Sequence, residues 1–196
     1  MNDDDIAYAR NSIRQLIWSG FYTPERVLEI VTEEIYEPDE IDSESAWGWI
    51  EEEAGRQTQA ELDWPEVTDC DRLTAAFAEL ETGGIIALEN AGNTKSEGVQ
   101  EAMEIYMDLG DEKSGVAGYC FYHWQDLESV VGGGSLWIAF GDIEGDDTRG
   151  IAIGERIVST LARHGLAAVW PGTITQRIEI PKIVWQRRWT ADTDGE

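Results

Sequence analysis

The sequence predicts an α+β fold, in which a helical N-terminal segment precedes a mixed α/β sandwich with helices packed on a four- to five-stranded sheet. Apolar residues recur at helical spacing through the first sixty or so positions. From residue 64 onward, helical patterns alternate with short apolar strands. This order of elements predicts helices lying over a sheet rather than an all-α bundle.

Three helices are expected in the N-terminal segment. The first ends at Gly20, because glycine interrupts the apolar helical pattern there. The second begins with Thr23 as its N-cap and Pro24 at its first position, and we expect it to run to Pro38. The third begins near residues 42–43. The segment is therefore predicted to be entirely helical.

The remainder of the chain alternates between the two element types. Strands are predicted at residues 85–88, 116–123, 136–140, 166–170 and 174–180, and helices between residues 68 and 83, 94 and 106, 127 and 131, and 147 and 165. The helix–glycine–strand order recurs, so a ferredoxin-like sheet is one alternative. The predicted divisions are an acidic helical segment packed on the core, residues 1–63, an α/β core domain, residues 64–189, and a frayed tail, residues 190–196.

The chain is strongly acidic: 40 Asp and Glu residues face 14 Lys and Arg residues, for a formal net charge of −26. Residues 1–66 hold 18 acidic and 4 basic residues, a net −14. Such a charge disfavours nucleic acid and anionic membrane surfaces, and favours a basic protein as the partner. Two cysteines are too few for a disulfide framework, and no secretory signal is evident, so we expect a cytoplasmic protein.

The most informative segment is residues 118–126, which holds one of two histidines, one of two cysteines and a carboxylate. One hypothesis makes His123 a general base oriented by Asp126. The alternative places His123 at a strand-to-helix junction, bonded to Asp126 or to backbone, and Cys120 in the core. A zinc site would add Cys70, but strand alternation puts Cys120 and His123 on opposite faces, so no metal is predicted.

Further residues are candidates for ligand binding near that segment. They are Tyr119, Tyr122, Arg177 and Arg187. An arginine can hold an anionic ligand through two parallel hydrogen bonds, although pairing with the chain's own acids is the simpler expectation.

Two other patterns have structural explanations. The acidic loop at residues 142–147 lacks the calcium-loop spacing, and Asp146 and Asp147 suit the start of the next helix. The glycines at 132–134 precede a strand rather than a helix and lack the following lysine, so they predict a turn and not a phosphate loop.

Four sequence blocks carry a family resemblance: WPEVTDCDRL, GYCFYHWQDLE, AFGD and WQRR. They resemble an uncharacterised bacterial family catalogued only as a domain of unknown function, over about residues 20–188. The resemblance implies a soluble bacterial protein with no assigned reaction.

These observations favour a non-enzymatic acidic interaction or regulatory module of the bacterial cytoplasm, with no cofactor. The alternative is a small hydrolase or transferase in which His123 and Asp126 act as the base and Arg177 or Arg187 contacts the substrate.

Overall fold

The computed structural model describes residues 3–36, 40–110 and 115–189. Those residues form seven α-helices, one π-helical segment and a four-stranded mixed sheet, so the predicted α+β class is confirmed. The chain divides into two compact units, which we call the helical unit, Met1–Thr68 with Trp185–Glu196, and the α/β unit, Asp69–Val184. The predicted tail at residues 190–196 lies outside the described residues.

The helical unit contains the three predicted helical regions. They are α1 (Asp3–Ser19), α2 (Pro24–Glu29) continued by a π-helical segment (Ile30–Ile35), and α3 (Ser43–Glu61). The Thr23 hydroxyl accepts a hydrogen bond from the Arg26 backbone N–H at 3.0 Å, which confirms the predicted cap of α2. The predicted end of this region at Pro38 lies outside the described residues.

Residues 185–187 pack within the helical unit. The Trp185 indole N–H donates to the Ser19 carbonyl at 3.1 Å, and the Gln57 amide donates to the Arg187 carbonyl at 3.4 Å. A Cβ on Gly20, whose φ is +76°, would lie 2.6 Å from the Arg187 carbonyl oxygen. Gly20 therefore both ends α1 and allows this close approach.

The α/β unit contains all four strands. Its elements are α4 (Asp69–Thr82), β1 (Ile85–Leu88), α5 (Lys95–Asp108), β2 (Gly118–Phe121), α6 (Trp124–Val131), β3 (Leu136–Asp142), α7 (Asp147–Arg163) and β4 (Ile178–Ile180). The sheet order is β1-β2-β3-β4, with β1 parallel to β2 and the other pairs antiparallel. Parallel neighbours need a crossover connection, which α5 supplies.

The ferredoxin-like alternative is wrong. That arrangement separates its parallel strands by another strand, whereas β1 and β2 are direct neighbours here. The recurring helix–glycine–strand order depended on a strand predicted at residues 166–170. The structure has no strand ladder at these residues. Only Val169 is bridged there, through mutual backbone hydrogen bonds of 2.7 and 2.9 Å with Glu179.

The last predicted strand is also shorter than expected, because it begins at Ile178 instead of residue 174. The Trp170 indole N–H lies 3.1 Å from the carbonyl oxygens of both Thr173 and Gln176. These two hydrogen bonds hold residues 173–176 in a turn, so these residues do not join the sheet. Similarly, β2 ends at Phe121, two residues before His123.

The core of the α/β unit lies between its helices and the sheet. The predicted stripe of α4, Leu73, Ala76, Phe77 and Leu80, is buried. A Cβ on Gly98 of α5 would lie 2.3 Å from the Phe121 ring, so a glycine is required for α5 to sit this close to β2.

Across the described ranges, no helix combines the length and the apolar character that crossing a membrane requires.

Candidate functional site

His123 lies at the junction between β2 and α6, where it occupies the N-cap position of the helix. Its backbone is extended, with φ −112° and ψ 175°, as expected of a cap residue. The His123 backbone N–H donates to the Asp126 carboxylate at 3.2 Å, which is the carboxylate half of a capping box. Asp126 therefore stabilises the start of α6, independently of any chemistry at His123.

Arg177 closes this cluster from the residue before β4. Its Nη1 donates to both carboxylate oxygens of Asp126, at 2.8 and 3.1 Å, and lies 3.3 Å from the His123 Nε2. The guanidinium also lies 5.7 Å from the ring centroid of Trp137, which pairs with Glu179 across β3 and β4. Sheet pairing thus brings together residues more than fifty positions apart. We call His123, Asp126 and Arg177 the buried cluster.

The contact with Arg177 assigns the imidazole tautomer. A guanidinium has only donors, so Nε2 must offer a lone pair and the ring proton must reside on Nδ1. Nδ1 lies 3.2 Å from the Asp126 Oδ2, but it has no well-aligned hydrogen bond to any described residue. Burial lowers the pKa of His123 below its ordinary value of 6.5, with the Asp126 carboxylate acting in the opposite direction. His123 is therefore neutral near pH 7.

The buried cluster stabilises the junction more directly than it offers chemistry. His123 and Asp126 are only 4% and 3% exposed, and the free lone pair of the imidazole points at a cation. A general base needs that lone pair within reach of a substrate proton. Base chemistry at His123 would require Arg177 to move first.

Of the two candidate tyrosines, Tyr119 lies within β2 and Tyr122 directly follows that strand. Tyr119 is half-buried and stacks on Phe121, with ring centroids 6.1 Å apart, and burial raises the pKa of its hydroxyl. Tyr122 is fully buried, 5.8 Å from the Phe77 ring centroid. Both residues pack against other aromatic rings of the α/β unit.

Arg187 belongs to the helical unit, and the buried cluster to the α/β unit. Its guanidinium lies over the Phe21 ring, 4.0 Å from the centroid. This is a cation–π contact within the helical unit. Of the two arginines proposed from the sequence, Arg177 is the one that meets His123 and Asp126.

The acidic loop after β3 is organised by Arg149, which the sequence analysis did not single out. The Asp142 carboxylate accepts from the backbone N–H groups of Glu144 and Asp146, at 2.9 and 3.0 Å. Arg149 donates to the same carboxylate from Nε and Nη2, at 2.8 and 3.0 Å. These bonds, led by Arg149, hold the pKa of Asp142 well below its usual range. The predicted cap by Asp146 is confirmed, since it accepts from the Arg149 N–H at 2.8 Å.

Metal-binding side chains are dispersed in the parts of the chain that the structure describes. No three His, Cys, Asp or Glu residues come together there in a way that could hold an ion. Cys70 and Cys120 are both buried free thiols. Burial raises the pKa of the Cys120 thiol, which disfavours the thiolate that zinc needs.

Comparison with known proteins identifies the family. A family model described as "Domain of unknown function (DUF6891)" matches residues 2–189, so the chain belongs to this family and the predicted resemblance is confirmed. No curated protein and no solved structure matches the chain.

Proposed function

We propose that this member of the family is a non-enzymatic interaction module of the bacterial cytoplasm, whose helical unit binds a basic protein. The observation that carries the proposal is an imbalance of charge on the helical unit. Three of its arginines form ion pairs with its own glutamates, whereas carboxylates on one exposed face of α3 have no cationic partner among the described residues.

The internal pairs involve three of the four arginines at positions 1–66. They join Arg10 to Glu52 at 2.5 Å, Arg26 to Glu29 at 3.2 Å and to Glu34 at 2.6 Å, and Arg56 to Glu52 at 2.6 Å and to Glu53 at 2.7 Å. Glu44 and Glu51 take no part in these pairs, and both are exposed. Unpaired carboxylates of this kind are available to a partner's cations.

Glu44 and Glu51 lie on the same side of α3. Together with Gly48, Gly55 and Thr58 they are spaced three or four residues apart, and all five residues are exposed. We call these five residues the acidic face. It presents carboxylates and bare backbone along about four turns of one helix.

The two glycines of the acidic face support a role in binding. An added Cβ on Gly48 or Gly55 would meet no described residue within 4 Å, so no contact with the described part of the chain calls for glycine. Glycine inside a helix costs about 1 kcal/mol relative to alanine. A partner that approaches the backbone closely would account for this cost.

The charge of the helical unit supports a basic partner over other classes. Complementary charge raises association rates and penalises partners of the same sign. Nucleic acids and anionic membrane surfaces are polyanions, so both would be repelled by a segment of net −14. The hydrolase or transferase alternative has weaker support, because the His123 lone pair already meets Arg177.

The test is capture of host proteins by the immobilised full-length chain at about 0.05 M and about 0.5 M salt. Three forms are compared: the natural protein, the double variant Glu44→Gln/Glu51→Gln, and the control Asp108→Asn/Glu155→Gln. The control removes the same charge from exposed positions of the α/β unit. The unfolding midpoints of the three forms are measured first and must be equal, so that a loss of capture does not reflect a loss of folding.

We expect the natural protein and the control to retain the same basic protein at low salt and to release it at high salt. The Glu44→Gln/Glu51→Gln form should retain much less of it. Capture that all three forms share equally, or that high salt leaves intact, would refute the proposal. So would the absence of any captured basic protein.

A further inference from the structure

A second binding site is suggested by a cavity in the α/β unit. Its volume is about 530 Å³, and its walls come from α5, the chain entering β2, the loop after β3 and one side of α7. Cavities that bind small molecules in proteins typically measure about 300–1,000 Å³. The volume of the cavity therefore suits a small metabolite.

The charges of this cavity leave one cation uncommitted. Asp142 and Glu144 both accept hydrogen bonds from Arg149, so Arg149 is already committed to these two carboxylates. Arg156 also lines the cavity, but it forms no ion pair with any described residue.

The backbone is adapted to hold the Arg156 guanidinium. Its Nη2 donates to the Gly83 carbonyl at 2.7 Å, and a Cβ on Gly83 would lie 2.6 Å from the same nitrogen. Gly83 thus leaves room for the guanidinium just after α4. One of its five N–H donors is used in this bond, so the other donors remain for a ligand.

We propose that this cavity binds a small organic monocarboxylate. The carboxylate pairs with Arg156 through parallel hydrogen bonds, and the apolar part lies against Val116, Ala117 and Ile153. A single free cation matches a single negative charge. A phosphate dianion would be repelled more strongly than a monocarboxylate by Asp142 and Glu144, which also line the cavity.

The test uses a series of unbranched probes: acetate, butyrate and hexanoate, with inorganic phosphate as the competing anion. Binding is measured by amide chemical shifts in the full-length protein. Each added methylene that enters the cavity should tighten binding by roughly fourfold. The shifted amides should include those of Ala117 and Ile153.

Two variants and a matched control locate the site. Arg156→Gln should weaken hexanoate binding by about tenfold or more, because the charged hydrogen bonds are lost. Gly83→Ala should weaken it as well, since the new methyl group displaces the guanidinium. Arg163→Gln removes the same charge from the same helix, but Arg163 pairs with Glu79 and does not line this cavity. It should bind like the natural protein.

Equal hexanoate binding by the Arg156→Gln and natural forms would overturn the proposal. So would phosphate binding as strong as that of hexanoate, or no shift with any carboxylate. These outcomes concern the α/β unit alone, so they leave the proposed role of the acidic face unaffected.

Discussion

The two compact units use their charges in different ways. In the helical unit, ion pairs such as Arg10–Glu52 join side chains that are 45% and 41% exposed. In the α/β unit, Arg177 and Arg149 bind Asp126 and Asp142, whose side chains are each only 4% exposed. Exposed pairs contribute little to folding, whereas a buried carboxylate is costly to leave unpaired. In the proposed account, the buried carboxylates Asp126 and Asp142 serve the structure of the α/β unit, and the acidic face of the helical unit serves recognition.

The largest effect is expected from removing the buried carboxylate of the cluster. Asp126→Ala deprives Arg177 of its partner and the His123 N–H of its acceptor. We expect a loss of about 3 kcal/mol in the free energy of unfolding, measured by urea denaturation. Asp126→Asn keeps an oxygen acceptor and should lose less. A loss below about 0.5 kcal/mol for the alanine variant would contradict the structural role of this carboxylate.

A smaller effect is expected at the loop after β3. Asp142→Asn removes the charge that Arg149 and two backbone N–H groups bind, at a cost of about 2 kcal/mol near pH 7. The pKa of Asp142 is lowered in the folded state, so its contribution is present above its ordinary value of 3.8 and declines as the pH falls below that value. Urea denaturation should show the natural protein and the variant converging below about pH 4. A difference that stays constant with pH would contradict the assigned cause.

The glycines of the acidic face should respond in the opposite direction. Gly48→Ala and Gly55→Ala should each raise the free energy of unfolding by about 0.5–1 kcal/mol, because alanine is the better helix former and meets no steric obstacle. The same variants should reduce capture of the basic partner. Higher stability with unchanged capture would show that close approach to the backbone is not part of recognition.

The smallest effect is expected for an exposed ion pair of the helical unit. Glu52→Gln breaks the pairs with Arg10 and Arg56, and should cost less than about 1 kcal/mol. The measured loss should shrink further in high salt, because exposed charges are screened. A loss as large as that of Asp126→Ala would remove the distinction between the two units.

Sequence reasoning succeeded where the decisive contacts are local. The caps at Thr23 and Asp146 and the buried stripe of α4 follow from residues three or four positions apart. The strand predicted at 166–170 failed because a side chain intervened: the Trp170 indole binds the following carbonyls and leaves one bridge in place of a ladder. The spacing of apolar residues along the chain does not reveal such a contact between a side chain and the backbone.

The candidate site shows the same limit. His123 and Asp126 could be paired from their spacing, since a helix N-cap and its third residue face each other. The approach of Arg177 depends on the antiparallel pairing of β3 and β4, which no local pattern specifies. Arg149 could have been suspected, because it follows the acidic loop within the first turn of α7.

The most direct test of the central claim is the affinity of the captured basic partner for the natural protein and for Glu44→Gln/Glu51→Gln, measured by titration calorimetry at two salt concentrations. At about 0.05 M salt we predict a dissociation constant at least about fivefold weaker for the variant, and at about 0.5 M salt a much smaller difference. Asp108→Asn/Glu155→Gln should match the natural protein at both. Equal dissociation constants for all three forms at low salt would contradict the claim that the acidic face recognises the partner.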